Sequence, residues 1–412
     1  MLRSETIRFT SRRAATTSEP IDPVTLQGKT LAFVFKIASR CNLDCSYCYV
    51  YNKGDETWKR RPVFMSDDVV TAGIERIRRW CDQVGQRKVQ VTFHGGEPLL
   101  AGRARFDRWC TAIRDGLAGT AEVRFNIQTN ATLIDADWAR LFLAHGVEVG
   151  VSIDGPAEVH DEQRVDRHGD GSYERVVRGI RTLQHQGVWV GGLAVIQLGA
   201  DGVAVHRHLR SLGLPHMNYL LPDFTHDTIG PIREQFGPTP VADYLLPIFD
   251  EWWFDDPLRV RIPLFVAVTR LLLGGRSNID MVGNEPFGFV FIEADGSIED
   301  LDSLRVCRSG MADTGLSVFT HDAIDVATLS SVHRAAMFDG LDVPTDCAGC
   351  VERDTCRGGY LTHRYSAADG FDNPSVWCAD LLALFTHARE RLEIDADETM
   401  MRREALDSMV PG

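Results

Sequence analysis

At 412 residues, with 44% apolar and 25% charged side chains, the chain has the make-up of a globular protein, long enough for one sizeable core and an appended smaller unit. A formal net charge of −14 argues against a nucleic-acid backbone or an anionic membrane as the main partner and favours a small molecule or a neutral to basic peptide. The best apolar run, at 264–273, is too short to span a membrane and carries Arg270.

Taken in chain order, residues 1–27 lack an apolar h-region and predict a flexible leader without an export signal. Ten cysteines in such a chain predict a reducing, cytoplasmic setting, where clustered thiols serve as metal ligands more often than as disulfides. An apolar run at 31–37 predicts the first strand, and Cys41, Cys45 and Cys48 follow it directly. Helix patterns at 67–81, 103–117, 135–145, 173–187 and 201–212 then alternate with strand patterns at 88–93, 123–128, 147–153, 188–196 and 216–221. Asp67, Asp135 and Asp201 stand near the helix starts and suit N-terminal caps. This alternation predicts an α/β fold, a partial (β/α)6 TIM-like barrel over 28–235, with its active site at the C-terminal ends of the strands.

Polar and glycine-rich residues collect at that rim. Cys41 follows the first strand, Gly95, Gly96, Glu97 and Pro98 the second, Asn130 the third, and Ser152 to Pro156 the fourth. Residues 236–282, punctuated by proline and rich in aromatics, predict a helical linker. Residues 283–395 predict a second unit with short strands, five cysteines and a closing helix at 379–392, followed by a polar tail at 396–412. Cys81 and Cys110 fall on helix patterns and read as core.

Three thiols converging from one loop can hold three irons of a cubane [4Fe-4S] cluster and leave the fourth open to another ligand. A zinc site is the bland alternative, but paired knuckles with a nearby fourth ligand are missing, and the nearest histidine, His94, lies on another strand. The CxxxCxxC pattern with Tyr47 before its last cysteine, together with Gly95, Gly96, Glu97 and Pro98, resembles the radical S-adenosylmethionine (SAM) enzymes. That resemblance implies SAM on the open iron and Tyr47, Gly95, Gly96 and Glu97 beside it. It also implies an electron donor such as ferredoxin or flavodoxin, and cleavage of SAM to a 5′-deoxyadenosyl radical. Glu97 after two glycines can approach an ammonium closely. Ser152 and Arg164 resemble contacts to the SAM ribose and carboxylate, a forked guanidinium suiting a carboxylate, although a surface Arg would look the same. Asn130 reads as a contact to SAM or substrate, or as a turn-forming Asn.

Cys347, Cys350, Cys356 and Cys378 resemble the SPASM extension of radical-SAM peptide maturases. They imply at least one auxiliary [4Fe-4S] cluster with full cysteine ligation, which would pass electrons or stabilise the domain; CxxC pairs serve zinc equally well. The chain departs from the fuller pattern at Leu301 and Tyr360, where cysteines are usual, so a second auxiliary cluster has only Cys307 as a remaining ligand. Asp302 stands where related maturases carry an acidic catalytic base, and water loss on substrate closure would raise its basicity; a solvated turn Asp is the alternative.

Segments 94–102, 220–227, 304–308, 358–364 and 370–378 resemble the subgroup of maturases that forms cyclophanes in ribosomally made, post-translationally modified peptides (RiPPs). This implies a carbon–carbon crosslink between an aromatic ring and a β-carbon of a precursor peptide with leader and core. Formylglycine formation from Cys or Ser, thioether crosslinking, or metal binding without radical chemistry are the alternatives.

Overall fold

The computed structural model describes residues 31–399 apart from 255–259, 278, 284, 287, 324, 326–333 and 337–339, together with 401. The expected leader at 1–27 and the tail from 402 lie outside the described residues. Strands β1 (Ala32–Ala38), β2 (Lys88–Gly95), β3 (Glu122–Thr129), β4 (Val147–Ser152), β5 (Val190–Val195) and β6 (Met217–Leu220) run parallel in sequence order. Between them lie α1 (Asp67–Val84), α2 (Arg103–Gly116), α3 (Ala136–His145), α4 (Ala157–Gln163), α5 (Tyr173–His185) and α6 (Gly202–Ser211). Helix α4, two turns within the β4–α5 connection, is additional to the five expected; it is too short to show a clear period and ends at Arg164.

Burial explains the elements. In β1 every residue after Ala32 is buried, as in a central parallel strand covered on both faces. In β2 Val89, Val91 and Phe93 point inward, and the Phe93 ring lies 4.7 Å from Phe106 of α2 and 5.8 Å from Phe125 of β3. Cys81 and Cys110 are fully buried in this core. Asp135 caps α3 through the Trp138 N–H at 2.9 Å, and Asp201 caps α6 through Ala204 at 3.0 Å. For α1 the cap is Ser66 instead, its shorter side chain reaching the Val69 N–H. Asp67 falls in the first turn and accepts from the Trp109 indole at 2.6 Å.

Helices α7 (Gly230–Phe236), α8 (Pro240–Phe254) and α9 (Pro263–Leu272) fill the linker region. Strand β7 (Phe289–Ile292) then returns to pair in parallel with β1, and β8 (Ser297–Glu299) and β9 (Asp313–Ser317) follow antiparallel. The sheet order is therefore β6-β5-β4-β3-β2-β1-β7-β8-β9. The C-terminal unit is thus stitched into the barrel sheet, a pairing between distant segments that local patterns do not reveal. The closing helix α10 (Cys378–Leu392) packs on α8, where Asp380 accepts hydrogen bonds from the Val241 and Ala242 N–H groups at 2.7 and 2.9 Å. Among the described residues no helix is long and apolar enough to cross a membrane.

Candidate active site

The cysteine loop leaves the C-terminal end of β1 and is gripped by the end of β2. The Gly96 N–H donates to the Ala38 carbonyl at 2.8 Å and the Glu97 N–H to the Arg40 carbonyl at 3.0 Å. A Cβ at Gly95 would lie 2.2 Å from the Ala38 oxygen, and one at Gly96 would lie 2.0 Å from the Tyr51 hydroxyl. Only glycines allow this approach. Cys41, Cys45 and Cys48 line one cavity of about 340 Å³, together with Gly95, Gly96, Asn130, Ser152 and Arg164.

Donors are aimed at the sulfurs. The Leu43 N–H lies 3.4 Å from Cys41 Sγ, Asn130 Nδ2 3.8 Å from the same atom, and Arg164 Nη1 3.9 Å from Cys45 Sγ. Burial pushes the Cys41 thiol up to about 12 and Cys45 to about 11, with Arg164 pulling the latter back. Such sulfurs become thiolate ligands only with a cation among them. Three of them on one loop, with hydrogen-bond donors on two, fit a cubane cluster that keeps one iron open.

The residues expected around SAM fall into two groups. Ser152, whose hydroxyl accepts from Gln128 Nε2 at 2.9 Å, and Asn130 both line the cavity. Glu97 was expected to reach an ammonium; instead it turns inward and is fully buried. Its carboxylate accepts from the Leu99 N–H (3.0 Å), the Thr129 hydroxyl (2.7 Å) and the Asn130 N–H (2.8 Å), which ties the ends of β2 and β3 together. Burial pushes it up to about 7 against those three donors.

Arg164 is likewise engaged within the protein: its Nε donates to Asp154 at 2.9 Å and its guanidinium lies 5.3 Å over the Tyr47 ring. The Tyr47 hydroxyl donates to the same Asp154, which is fully buried and also accepts from the Val195 N–H. Sequence reasoning gave Asp154 no role. Its position, a carboxylate between Ile153 and Gly155 at the end of a buried strand, was the available signal.

The C-terminal unit and the segment after β6 also line the cavity, with Asp223, Asp280, Asp302, Tyr360 and His363. Asp302 was expected to gain basicity. In the structure Lys36 Nζ lies 3.1 Å from its Oδ2 and the Tyr49 hydroxyl donates to that oxygen at 2.7 Å. Although burial alone would raise Asp302, Lys36, His94, the Tyr49 hydrogen bond and Arg305 together outweigh it and lower the carboxyl from its ordinary value. At Asp280 burial, with Asp223 and Asp302 nearby, outweighs a backbone hydrogen bond and His363 and pushes the carboxyl up to about 6.

Cys347, Cys350, Cys356 and Cys378 line a second, small cavity beside Glu352 and Gly358. Burial, and then the neighbouring Cys378, raise both Cys347 and Cys356, so the thiols do converge. Four thiols in one place suit a fully ligated auxiliary cluster. Cys307 stands apart, its Sγ 3.8 Å from the Thr362 carbonyl. Leu301 is buried and the Tyr360 hydroxyl bonds Ser303 at 2.5 Å. Among the described residues no three His, Cys, Asp or Glu side chains close on a single-ion site.

Residues 35–212, which include the cysteine loop and the strand ends of the rim, match the Radical SAM superfamily. The chain is similar to a cysteine-type anaerobic sulfatase-maturating enzyme of Clostridium perfringens, 25% identical over 371 residues that cover 88% of this chain and 97% of that protein. Its fold is that of anSMEcpe solved with AdoMet and the Cp18Cys peptide (TM-score 0.74, 23% identity, 89% of this chain and 99% of the other). A more distant likeness is Streptococcus suis SuiB bound to the precursor peptide SuiA (TM-score 0.52, 16% identity, 81% and 72%).

Proposed function

We propose that this radical SAM oxidoreductase oxidises a side chain of a peptide or protein substrate, taking a β-hydrogen and then one electron and one proton. The observation that carries this reading is a single cavity lined both by the cysteine loop and by Asp223, Asp280, Asp302 and His363. A side chain entering it meets the hydrogen-abstracting side and the acid–base side together. When bound, the cluster and SAM supply the radical. The chain's own residues do the rest: Cys41, Cys45 and Cys48 hold the cluster, Asn130 and Arg164 orient the sulfurs, and Ser152 faces the cofactor space.

Of the finer chemistries, conversion of a Cys or Ser to formylglycine has the broader support. The similarity to a sulfatase-maturating enzyme runs over 88% of the chain, and the solved anSMEcpe fold carries a bound peptide. A second reading, a carbon–carbon cyclophane crosslink in a precursor peptide, is favoured by one observation. Leu220, Leu221, Asp223, Tyr360 and His363, all from segments that resemble the cyclophane subgroup, line the cavity itself.

Anaerobic incubation of the reconstituted enzyme with SAM, a reductant and two peptides separates these readings. One peptide carries a sulfatase-type Cys or Ser, the other is the precursor encoded beside the enzyme. Formylglycine is expected as a hydrazide-reactive aldehyde, and from Cys its formation also removes the sulfur. A crosslink loses two hydrogens, shows no aldehyde and joins fragments in tandem mass spectra. If SAM is cleaved but neither peptide changes, a peptide substrate of either kind is wrong.

A further inference from the structure

The cavity contains a pair of residues to which the sequence patterns assign no chemistry. His363, 1% exposed, lies in a 3-10 turn at Leu361–Arg364. Its ring is held in place: the His363 N–H donates to Tyr360, its carbonyl accepts from the Val376 N–H, and the Tyr360 ring packs edge-on at 5.0 Å. Nε2 lies 3.2 Å from Asp223 Oδ1, whereas Nδ1 is buried without a hydrogen-bond partner among the described residues. A carboxylate can only accept, so Asp223 selects the tautomer with the proton on Nε2 and leaves a lone pair on Nδ1.

Carboxylates stand close to the ring. Among the described residues the imidazole has Asp223 at 3.2 Å and the Tyr360 ring at its edge, and Asp280 interacts with His363, Asp223 and Asp302. Lys53 interacts with Asp223 and lies 4.3 Å over the Phe224 ring. Two carboxylates thus neighbour the imidazole. At Asp302, by contrast, the Oδ2 lone pairs are already taken by Lys36 and Tyr49.

We propose that His363, oriented by Asp223, accepts the proton lost by the oxidised substrate, and that Asp302 acts as a fixed negative charge. The inference rests on the peptide-oxidising reading above and holds for either chemistry. Once the β-hydrogen is gone, the substrate gives one electron to an iron–sulfur acceptor and one proton to Nδ1. That proton leaves a thiol or hydroxyl in formylglycine formation, or a ring carbon in crosslinking. The substrate ends closed-shell and two hydrogens poorer, and the imidazolium returns its proton to water.

The test uses the holoenzyme and a peptide deuterated at the β-carbon of the target residue. Deuterium in 5′-deoxyadenosine reports abstraction, and peptide mass reports product. In His363→Gln, abstraction should stay within about twofold of wild type while product falls by about 10²-fold, the scale of a lost general base. In Asp223→Asn the product should fall less, and the ring ¹⁵N signals assigned through the His363→Gln spectrum should move away from the pure Nε2–H tautomer of wild type. The proposal is overturned if product in His363→Gln stays within about threefold of wild type, well short of a lost general base. It is equally overturned if abstraction and product fall together, or if wild-type His363 carries its proton on Nδ1. If wild type takes no deuterium from either peptide, the functional reading fails instead, and the tautomer still decides the Asp223–His363 pair.

Discussion

Replacing Arg305 with Met removes the central cation of a buried network that ties the segment after the cysteine loop to β7 and β8. Arg305, 1% exposed, places Nη1 2.8 Å from Asp55 and 2.6 Å from the Thr57 hydroxyl, and Nη2 2.7 Å from Glu293, with a further bond to Glu299. Arg61 bonds Glu293 and Glu299, and Lys36 bridges Glu293 and Asp302. In the variant, Lys36 and Arg61 would face Asp55, Glu293, Glu299 and Asp302.

Each contact at this range is worth about 6 kcal/mol at an effective dielectric near 20, before desolvation is subtracted. The net loss on breaking a buried pair is about 3–5 kcal/mol. Against a total stability of roughly 5–15 kcal/mol this is a large fraction, and the melting temperature should fall by about 4–6 °C. Glu299, which burial and then Glu293 already push up to about 7, loses the opposing charge of Arg305 and rises further. A raised acid binds more protons folded than unfolded, so the variant's deficit should grow from pH 6 to pH 8. Thermal unfolding of the anaerobic holoenzyme, with iron content measured alongside, reads both effects. A loss under about 1 kcal/mol at neutral pH, within the range of an exposed pair, or a deficit that shrinks as pH rises, would refute the network's role.

Cys48→Ala should remove the SAM-side cluster, leaving about half the iron if each set holds one four-iron cluster, and abolish SAM cleavage; Cys356→Ala should lower iron comparably but keep SAM cleavage. Iron and sulfide assays with 5′-deoxyadenosine quantification distinguish the two. Gly96→Ala places a Cβ 2.0 Å from the Tyr51 hydroxyl and 2.5 Å from the Arg40 carbonyl, whereas Gly230→Ala meets nothing within 4 Å. The first should cost about 1–3 kcal/mol in a melting experiment, with poorer iron loading, while the second stays near wild type. Glu97, held up at about 7 by burial, is stabilising while protonated and loses that contribution as pH rises through 7. Glu97→Gln should therefore flatten the fall in stability between pH 6 and pH 8 by about 1 kcal/mol, and an unchanged slope in melting temperature against pH would remove the assignment.

How much could be read from the chain depended on how far apart the partners lie in it. The six barrel strands and their parallel order were legible because each is a compact apolar run between amphipathic helices. The cysteine triplet was legible because one loop carries all three thiols, and the Gly95–Gly96 approach because both residues sit at a strand end. Glu97 was legible as important but not as inward-facing. Its three donors, at Leu99, Thr129 and Asn130, depend on how β2 and β3 lie side by side. Arg164 was visible as a guanidinium near the rim, but its pairing with Asp154 depends on helix α4, too short to announce itself by periodicity.

The sequence by itself determined which chemistry is available: thiols at cluster spacing, glycines where backbones must touch, and apolar periods that build a half-open parallel barrel. These are local properties, carried by residues a few positions apart. The tertiary structure alone decided that β7 joins β1, that Asp302 lies against Lys36 and Tyr49, and that His363 meets Asp223. The reason is electrostatic and topological. A carboxylate's or an imidazole's proton affinity is set by the charges and donors within a few ångströms, and here those come from segments 140 residues apart for His363 and 253 for Asp302.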